Sequence, residues 1–96
     1  MSNEIDKVLQ ERGGAYGDFD VVAYRSQRIQ FHIRLYDTAK KYTETQREAL
    51  QMIASKLSRI ATGDANHRDS WIDIAGYAKL AADSIEKPES KNTDWE

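Results

Sequence analysis

The chain has 96 residues, no cysteine, and a net charge of −2 from 14 basic and 16 acidic side chains. This length suits one domain, because a second core would need roughly 50 further residues. The absence of cysteine excludes disulfides, zinc–thiolate sites and cysteine nucleophiles. No apolar run nears the roughly 20 residues that cross a bilayer, and the first residues do not resemble a signal peptide. We therefore expect a cytoplasmic protein with no membrane partner.

Size and charge also bear on the partners. A chain this short buries only about 60–65% of its unfolded surface, so we expect copies of it to associate into a homo-oligomer. The net acidic charge provides no overall field that would attract DNA or RNA. The basic residues of the predicted second helix are Arg25, Arg28, Arg34, Lys40 and Lys41. Because they alternate with core positions, we interpret them as a solvated face and do not expect nucleic acid as a partner.

Two helices are predicted in the first part of the chain. The first covers residues 3–12, where apolar residues recur at helical spacing, and Gly13-Gly14 are expected to end it. The second covers residues 19–39, with Asp18 as the N-cap that accepts backbone N–H groups of the first turn. We expect its core face to consist of Val22, Ser26, Ile29, Ile33 and Tyr36.

The third predicted helix has the strongest periodicity. Thr43 and Gln46 form a predicted capping box at its start, and Gly63 is expected to end it. Its apolar stripe consists of Ala49, Leu50, Ile53, Ala54, Leu57, Ile60 and Ala61. Regular spacing over this length predicts a helix that packs against the other helices along one side.

A fourth helix is predicted over residues 71–86, with Asp69 or Ser70 as its N-cap and Pro88 as its stop. Its expected core face, anchored by Trp71, consists of Trp71, Ile74, Ala75, Ala78, Ala82 and Ile85. The opposite face consists of Asp73, Gly76, Tyr77, Leu80 and Ser84. We expect this opposite face to meet another subunit.

Together these elements predict the all-α class: a small helical bundle of about four helices that forms an oligomer. Residues 1–87 are expected to form a single helical domain. Residues 88–96 are expected to be a disordered tail, because they contain too little apolar surface to offset the entropy of ordering.

Two pairs of charged residues come together across the predicted hairpin of the third and fourth helices. Lys56 and Arg59 lie one turn apart and off the core stripe, so both can reach one anion. Asp69 and Asp73 are likewise one turn apart. One interpretation is a phosphate site in which an aspartate binds a base, a sugar or a metal. The other is a salt-bridge network that braces the hairpin.

The segment Tyr16-Gly17-Asp18-Phe19 also has two interpretations. In the first, Gly17 lets the backbone approach a ligand and Tyr16 stacks on a base. In the second, the segment is a tight turn whose aromatic side chains fill the core. The two histidines, His32 and His67, are too isolated in the sequence to indicate a metal site, and we assign them no role.

Three ordered motifs resemble a small phage and prophage family of unknown function. They are Tyr16-Gly17-Asp18-Phe19, the segment 46–60 with Lys-x-x-Arg-Ile at its end, and the segment 69–80. More distantly, the chain is similar to nucleotide-modification-associated and MazG-type helical pyrophosphohydrolases. The shared features are the Tyr-Gly turn, the Lys-x-x-Arg-Ile helix and an Asp-x-x-x-Tyr helix, which here runs from Asp73 to Tyr77.

The MazG-type resemblance implies an oligomeric helical bundle that uses magnesium, held by acidic residues, to cut nucleoside triphosphates. Where those enzymes carry Glu-x-x-Glu, this chain has Lys56-Leu57-Ser58-Arg59. Two cations in place of two carboxylates remove metal ligands and favour direct phosphate binding. We therefore predict a phage or prophage accessory protein that binds a nucleotide-like ligand without turnover and requires no cofactor.

The residues predicted to bind this ligand are Lys56, Arg59, Asp69, Asp73, Tyr77, Tyr16 and Asp18. One alternative is a pyrophosphohydrolase in which Glu48, Asp69 and Asp73 hold magnesium. The second alternative is an interaction module that binds a host protein. No catalytic residue is assigned.

Overall fold

The computed structural model describes residues 2–86, which form four helices and no strand. The helices are α1 (Ser2–Tyr16), α2 (Phe19–His32), α3 (Glu44–Thr62) and α4 (Arg68–Ile85). The predicted all-α class and number of helices are therefore confirmed. The tail predicted to be disordered, residues 88–96, lies outside the described residues. No helix within residues 2–86 is long and apolar enough to span a membrane.

Helix α3 lies at the centre of the fold. It packs against α2 and α4, while within the described part of the chain α2 and α4 do not contact each other. Among the four described helices, α1 contacts α2 and α3. The ends of α3 agree with the prediction: Gln46 N donates to Thr43 Oγ1 at 3.0 Å, Thr43 N donates to Gln46 Oε1 at 3.0 Å, and Gly63 N donates to the last-turn carbonyl at 2.8 Å.

The predicted end of α1 is wrong. The helix continues through Gly13 and Gly14 to Tyr16, and it ends at Gly17, whose φ is +91°. Glycine adopts this left-handed conformation without steric cost. A Cβ atom on Gly17 would lie 2.6 Å from Thr62 Cγ2 and 2.8 Å from Thr62 O, whereas one on Gly13 or Gly14 would meet open space. The contact with the end of α3 therefore selects the third glycine as the stop.

Helix α2 ends at His32, well before the predicted residue 39. Leu35 N donates to Gln30 O at 2.9 Å, and Arg34 N donates to Phe31 O at 3.0 Å. Arg34 has a φ of +58°, so these bonds form a Schellman motif with arginine in the left-handed position. The turn allows Leu35 to become fully buried, which compensates for the conformational cost at Arg34.

The early stop changes the predicted core face of α2. Val22 and Ser26 are buried as expected, but Ile33 and Tyr36 are exposed, and Leu35 occupies the core instead. The buried hydrophobic residues among those described are Val22, Leu35, Ala49 and Ala54. Apart from Leu35 they are small, so the helices contact each other closely over a limited apolar area.

Polar side chains complete the contact between α2 and α3. Ser58 is fully buried, and its Oγ donates to Val22 O at 2.6 Å. Gln30 Nε2 donates to Ser26 Oγ at 3.1 Å, and Gln30 Oε1 accepts from Tyr36 OH at 2.7 Å. Within the described residues every buried side-chain nitrogen and oxygen atom has a hydrogen-bond partner. The polar part of the core is therefore satisfied, as burial requires.

The predicted cap of α4 is also wrong. His67 occupies the N-cap position without a side-chain capping bond, Asp69 lies inside the first turn, and Ser70 is buried. Asp64 organises the connection instead: its Oδ1 accepts from Asn66 N at 2.9 Å, and its carbonyl accepts from His67 N at 3.1 Å. The short turn that Asp64 closes starts the helix earlier than expected.

Helix α4 is rotated relative to the predicted orientation. Its least exposed residues are Ser70, Asp73, Ile74, Tyr77, Ala81, Asp83 and Ser84. Of the predicted core face only Ile74 is among them, and Trp71, expected to be a core anchor, is 52% exposed. The rotation places Asp73 against α3, where Lys56 is buried. A buried ammonium group requires an acidic partner. Leaving Lys56 unpaired would cost more free energy than is gained by burying the alanines of the predicted core face.

Candidate functional site

Tyr16, at the end of α1, lies at the centre of a cationic cluster. The Arg59 guanidinium carbon is 4.8 Å from the Tyr16 ring centroid, and Lys56 Nζ is 5.8 Å from it. The His67 ring meets the tyrosine edge-on, with 5.3 Å between centroids and an interplanar angle of 88°. Asp73 joins through its ion pair with Lys56. We call these five residues the Tyr16 cluster.

Two turns that are distant in the sequence hold Tyr16 in place. Asp64 N donates to Ala15 O at 2.9 Å, which joins the α3–α4 turn to the end of α1. A Cβ atom on Gly63 would lie 2.5 Å from Ala15 O and 2.6 Å from Tyr16 Cα. Only glycine allows this approach of two backbones, so the position of the Tyr16 ring depends on Gly63.

The sequence predicted that Lys56 lies off the core stripe of α3, but the side chain is buried. It is 8% exposed, and its Nζ lies 2.8 Å from Asp73 Oδ2. The Asp73 side chain is 43% exposed, so the pair runs from the interior to the surface. Burial of a lysine side chain at this depth is costly unless a carboxylate lies close to it. The predicted meeting of these two residues is therefore found, with Lys56 in a more buried position.

Arg59 is half-buried and has no carboxylate partner among residues 3–86, whose ion pairs are Arg34–Asp37, Lys56–Asp73 and Lys79–Asp83. Its guanidinium lies over the Tyr16 ring in a cation–π contact. A cation–π contact uses none of the guanidinium hydrogen-bond donors on a carboxylate, so the N–H groups remain available for a planar anion. Arg59 is thus the cation of the cluster that no carboxylate among residues 3–86 neutralises.

The other predicted ligand residues lie outside the cluster. Asp18 Oδ1 accepts from Asp20 N at 2.9 Å, so Asp18 is the N-cap of α2, as predicted. Asp69 is exposed in the first turn of α4 and forms no ion pair among the described residues. Tyr77 lies one turn beyond Asp73 and lines a surface depression of about 410 Å³ with Glu48.

The three carboxylates considered for magnesium are not brought together. In the described part of the chain no three His, Cys, Asp or Glu side chains are close enough to hold a metal ion. Glu48 lies eight residues before Lys56 on α3, roughly 12 Å along the helix axis. Asp73 is paired with Lys56, and Asp69 is exposed. Within residues 2–86 Glu48, Asp69 and Asp73 therefore do not form one group, and their role as magnesium ligands stays a prediction.

The basic stretch of α2 has a structural explanation in part. Arg25 Nη1 donates to Thr62 Oγ1 at 3.0 Å and to Ala61 O at 3.3 Å, so it binds the C-terminal end of α3. The Arg28 guanidinium lies over the exposed Tyr24 ring, 5.2 Å from its centroid. No local sequence signal points to His67 as a member of the cluster, since its neighbour Tyr16 is 51 positions away in the chain.

The Lys56–Asp73 pair makes a testable prediction. Asp73→Asn should lower the free energy of unfolding by about 1–3 kcal/mol, because it leaves a buried ammonium without its counter-charge. The double variant Asp73→Asn with Lys56→Met should recover most of this loss, since methionine fills the same space without a charge. Urea unfolding followed by circular dichroism measures both effects. Equal destabilisation in the single and double variants would show that the pair does not set the stability of α3 against α4.

The fold and the site define a small all-α protein. Its cationic and aromatic cluster lies where the α3–α4 turn meets the end of α1. The chain belongs to the family described as a domain of unknown function (DUF6378), whose model matches residues 3–85. That match includes all five residues of the Tyr16 cluster. No curated protein and no solved structure matches the chain.

Proposed function

We propose that this chain is a phage or prophage accessory protein that acts in the host cytoplasm and binds a nucleotide-like, phosphate-bearing ligand without hydrolysing it. The observation that carries the proposal is the state of Arg59. Arg59 is half-buried, and its guanidinium lies over the Tyr16 ring without a carboxylate partner among the described residues. A half-buried cation without a paired carboxylate attracts an anion more strongly than a cation in bulk water does.

The rest of the cluster fits a phosphorylated ligand. Arg59 binds two phosphate oxygens through its planar edge. Lys56 adds positive potential one turn away, reduced by its pairing with Asp73. The Asp73 side chain is 43% exposed, so its carboxylate can also accept a hydrogen bond from a sugar hydroxyl or a base N–H group.

The role of Tyr16 differs from base stacking. The Arg59 guanidinium lies over the Tyr16 ring, and the His67 ring packs against it in a T-shaped contact. The ring is therefore already occupied by side chains of the cluster. A guanidinium fixed in this way loses less conformational entropy when a phosphate binds than a free arginine does. Tyr16 is therefore a positioning residue of the site, and base recognition falls to other groups.

Binding without turnover is preferred over hydrolysis because of the charges in the cluster. A magnesium-dependent pyrophosphohydrolase needs several carboxylates around the metal and phosphate. The Tyr16 cluster contains one carboxylate, Asp73, and it is paired with Lys56.

The phage or prophage origin is supported by the resemblance of the three sequence motifs alone.

A panel of nucleoside triphosphates and cyclic dinucleotides, each with and without magnesium, tests the proposal. The expected result is a ligand that raises the melting temperature and is recovered intact by mass spectrometry. At 100 times its Kd a ligand adds about 2.7 kcal/mol, which for a chain of this size raises Tm by more than about 10 °C. Release of pyrophosphate would establish an enzyme instead. No stabilisation and no hydrolysis across the panel would contradict the nucleotide site and favour an interaction module for a host protein.

A further inference from the structure

An apolar strip runs along the outer side of α4. Its members are Trp71, Ala75, Ala78, Ala82 and Ile85. They are separated by four, three, four and three residues, which is the a/d spacing of two helices that pack side by side. All five are exposed, Trp71 at 52% and Ile85 at 68%. We call them the α4 strip.

Nothing in the described part of the chain covers the α4 strip. Helix α4 packs against α3 alone, and neither α1 nor α2 contacts it. The charged side chains of α4, including the Lys79–Asp83 pair at 2.7 Å, lie beside the strip and not within it. The strip is therefore a continuous helix-packing surface about 21 Å long, at a rise of about 1.5 Å per residue.

We propose that the α4 strip binds the same strip of a second copy of this chain, with the two α4 helices antiparallel and a two-fold axis near Ala78. The sizes of the side chains favour this arrangement, because large residues stand at both ends and alanines lie between them. Two-fold symmetry places Trp71 against Ile85 of the partner subunit, and alanines against alanines in the middle. The small central residues allow the helix axes to approach to about 8 Å.

The charges at the ends of α4 select the antiparallel orientation. Arg68 and Glu86 are both exposed and 18 residues apart, which is a whole number of helical turns. They therefore lie on the same side of the strip. In an antiparallel pair Arg68 approaches Glu86 of the partner subunit at both ends, whereas a parallel pair would keep these opposite charges roughly 27 Å apart along the helix axis. The dipoles of the two helices also favour the antiparallel orientation, because opposite partial charges then lie side by side. This inference is independent of the proposed ligand site.

Cysteine cross-linking tests the position of the two-fold axis, because the natural chain contains no cysteine. The full chain with Ala78→Cys should form a disulfide-linked dimer under a mild oxidant, since the two Cα atoms at the axis lie within the roughly 7 Å that a disulfide spans. Leu80→Cys is the matched control. Leu80 is 61% exposed on the same helix, but it lies roughly 160° around it. Equal or faster cross-linking through residue 80 would overturn the proposal.

Sedimentation velocity tests the contact itself. The natural protein should sediment as a dimer of two 11.0 kDa chains. Ala78→Glu should raise the dimer dissociation constant by about 100-fold or more, because it buries unpaired carboxylates at the axis. Leu80→Glu should leave the constant within about threefold of its original value, since an exposed substitution has little effect. Unchanged circular dichroism would show that both variants fold. A monomer at about 100 µM natural protein, or an Ala78→Glu variant that dimerises like the natural chain, would refute the proposal.

Discussion

Gly63→Ala is expected to lower the free energy of unfolding by about 3 kcal/mol, the largest effect of any single methyl group that we expect in this chain. The new Cβ would meet Ala15 O at 2.5 Å and Tyr16 Cα at 2.6 Å. Both are backbone atoms, so neither can turn aside as the end of a side chain does. To accommodate the methyl group, the α3–α4 turn must separate from the end of α1, which breaks the hydrogen bond from Asp64 N to Ala15 O.

Thermal unfolding followed by circular dichroism measures this effect, and for a domain of this size the melting temperature should fall by more than about 10 °C. Gly76→Ala is the matched control, because a Cβ at Gly76 meets nothing within 4 Å. It lies inside α4, where alanine is favoured over glycine by roughly 0.5–1 kcal/mol, so this control should melt at a higher temperature. A Gly63→Ala variant that melts like the natural chain would show that the two turns are not held together by close backbone contact.

Local signals in the sequence were sufficient to predict most helix starts. Asp18 and the Thr43–Gln46 capping box are found as predicted, because a capping bond joins residues two or three positions apart. Gly63 was identified as the end of α3 for the same reason. These elements required no knowledge of which helices would pack together.

The predictions of helix ends and of the α4 core face were wrong where several positions were locally possible. In each case a contact with a residue distant in the sequence determined which one the chain adopts. Three glycines precede α2, and the contact with Thr62 selected Gly17 as the end of α1. The burial of Leu35 held Arg34 in a left-handed conformation that its residue type disfavours. Helix α4 carries apolar residues on more than one side, so its hydrophobic periodicity did not determine which side would face α3.

The candidate site was predictable in part. The helical hairpin brings Lys56 and Asp73 together, as expected from the short connection between α3 and α4. The burial of Lys56 was not predicted, because lysine is among the residues least often buried. The contacts of Tyr16 with Arg59 and His67 depend on the approach of two turns that are separated by more than 40 residues. No periodic pattern encodes that approach.

Arg59→Ala is expected to reduce ligand affinity by about one to two orders of magnitude while the protein remains folded. A charge-assisted hydrogen bond to phosphate contributes roughly 1.5–3 kcal/mol, which corresponds to this range in Kd. The contribution of Arg59 to stability is smaller, because its cation–π contact with Tyr16 at a half-buried position is worth about 0.5–1 kcal/mol. Arg59→Lys should recover only part of the affinity, since lysine provides the charge but not the planar edge.

Isothermal titration with the nucleotide that stabilises the protein most, combined with thermal unfolding, separates the two roles of Arg59. Arg28→Ala is the matched control: it also removes an arginine from a tyrosine ring, 5.2 Å from the Tyr24 centroid, but on the outer side of α2. This variant should lose as little stability as Arg59→Ala and keep its full affinity. If Arg59→Ala instead melts several degrees earlier while affinity per folded molecule is unchanged, Arg59 is a structural brace on Tyr16. The anion site would then be wrong, because the one cation that the cluster leaves unpaired would have no ligand to bind.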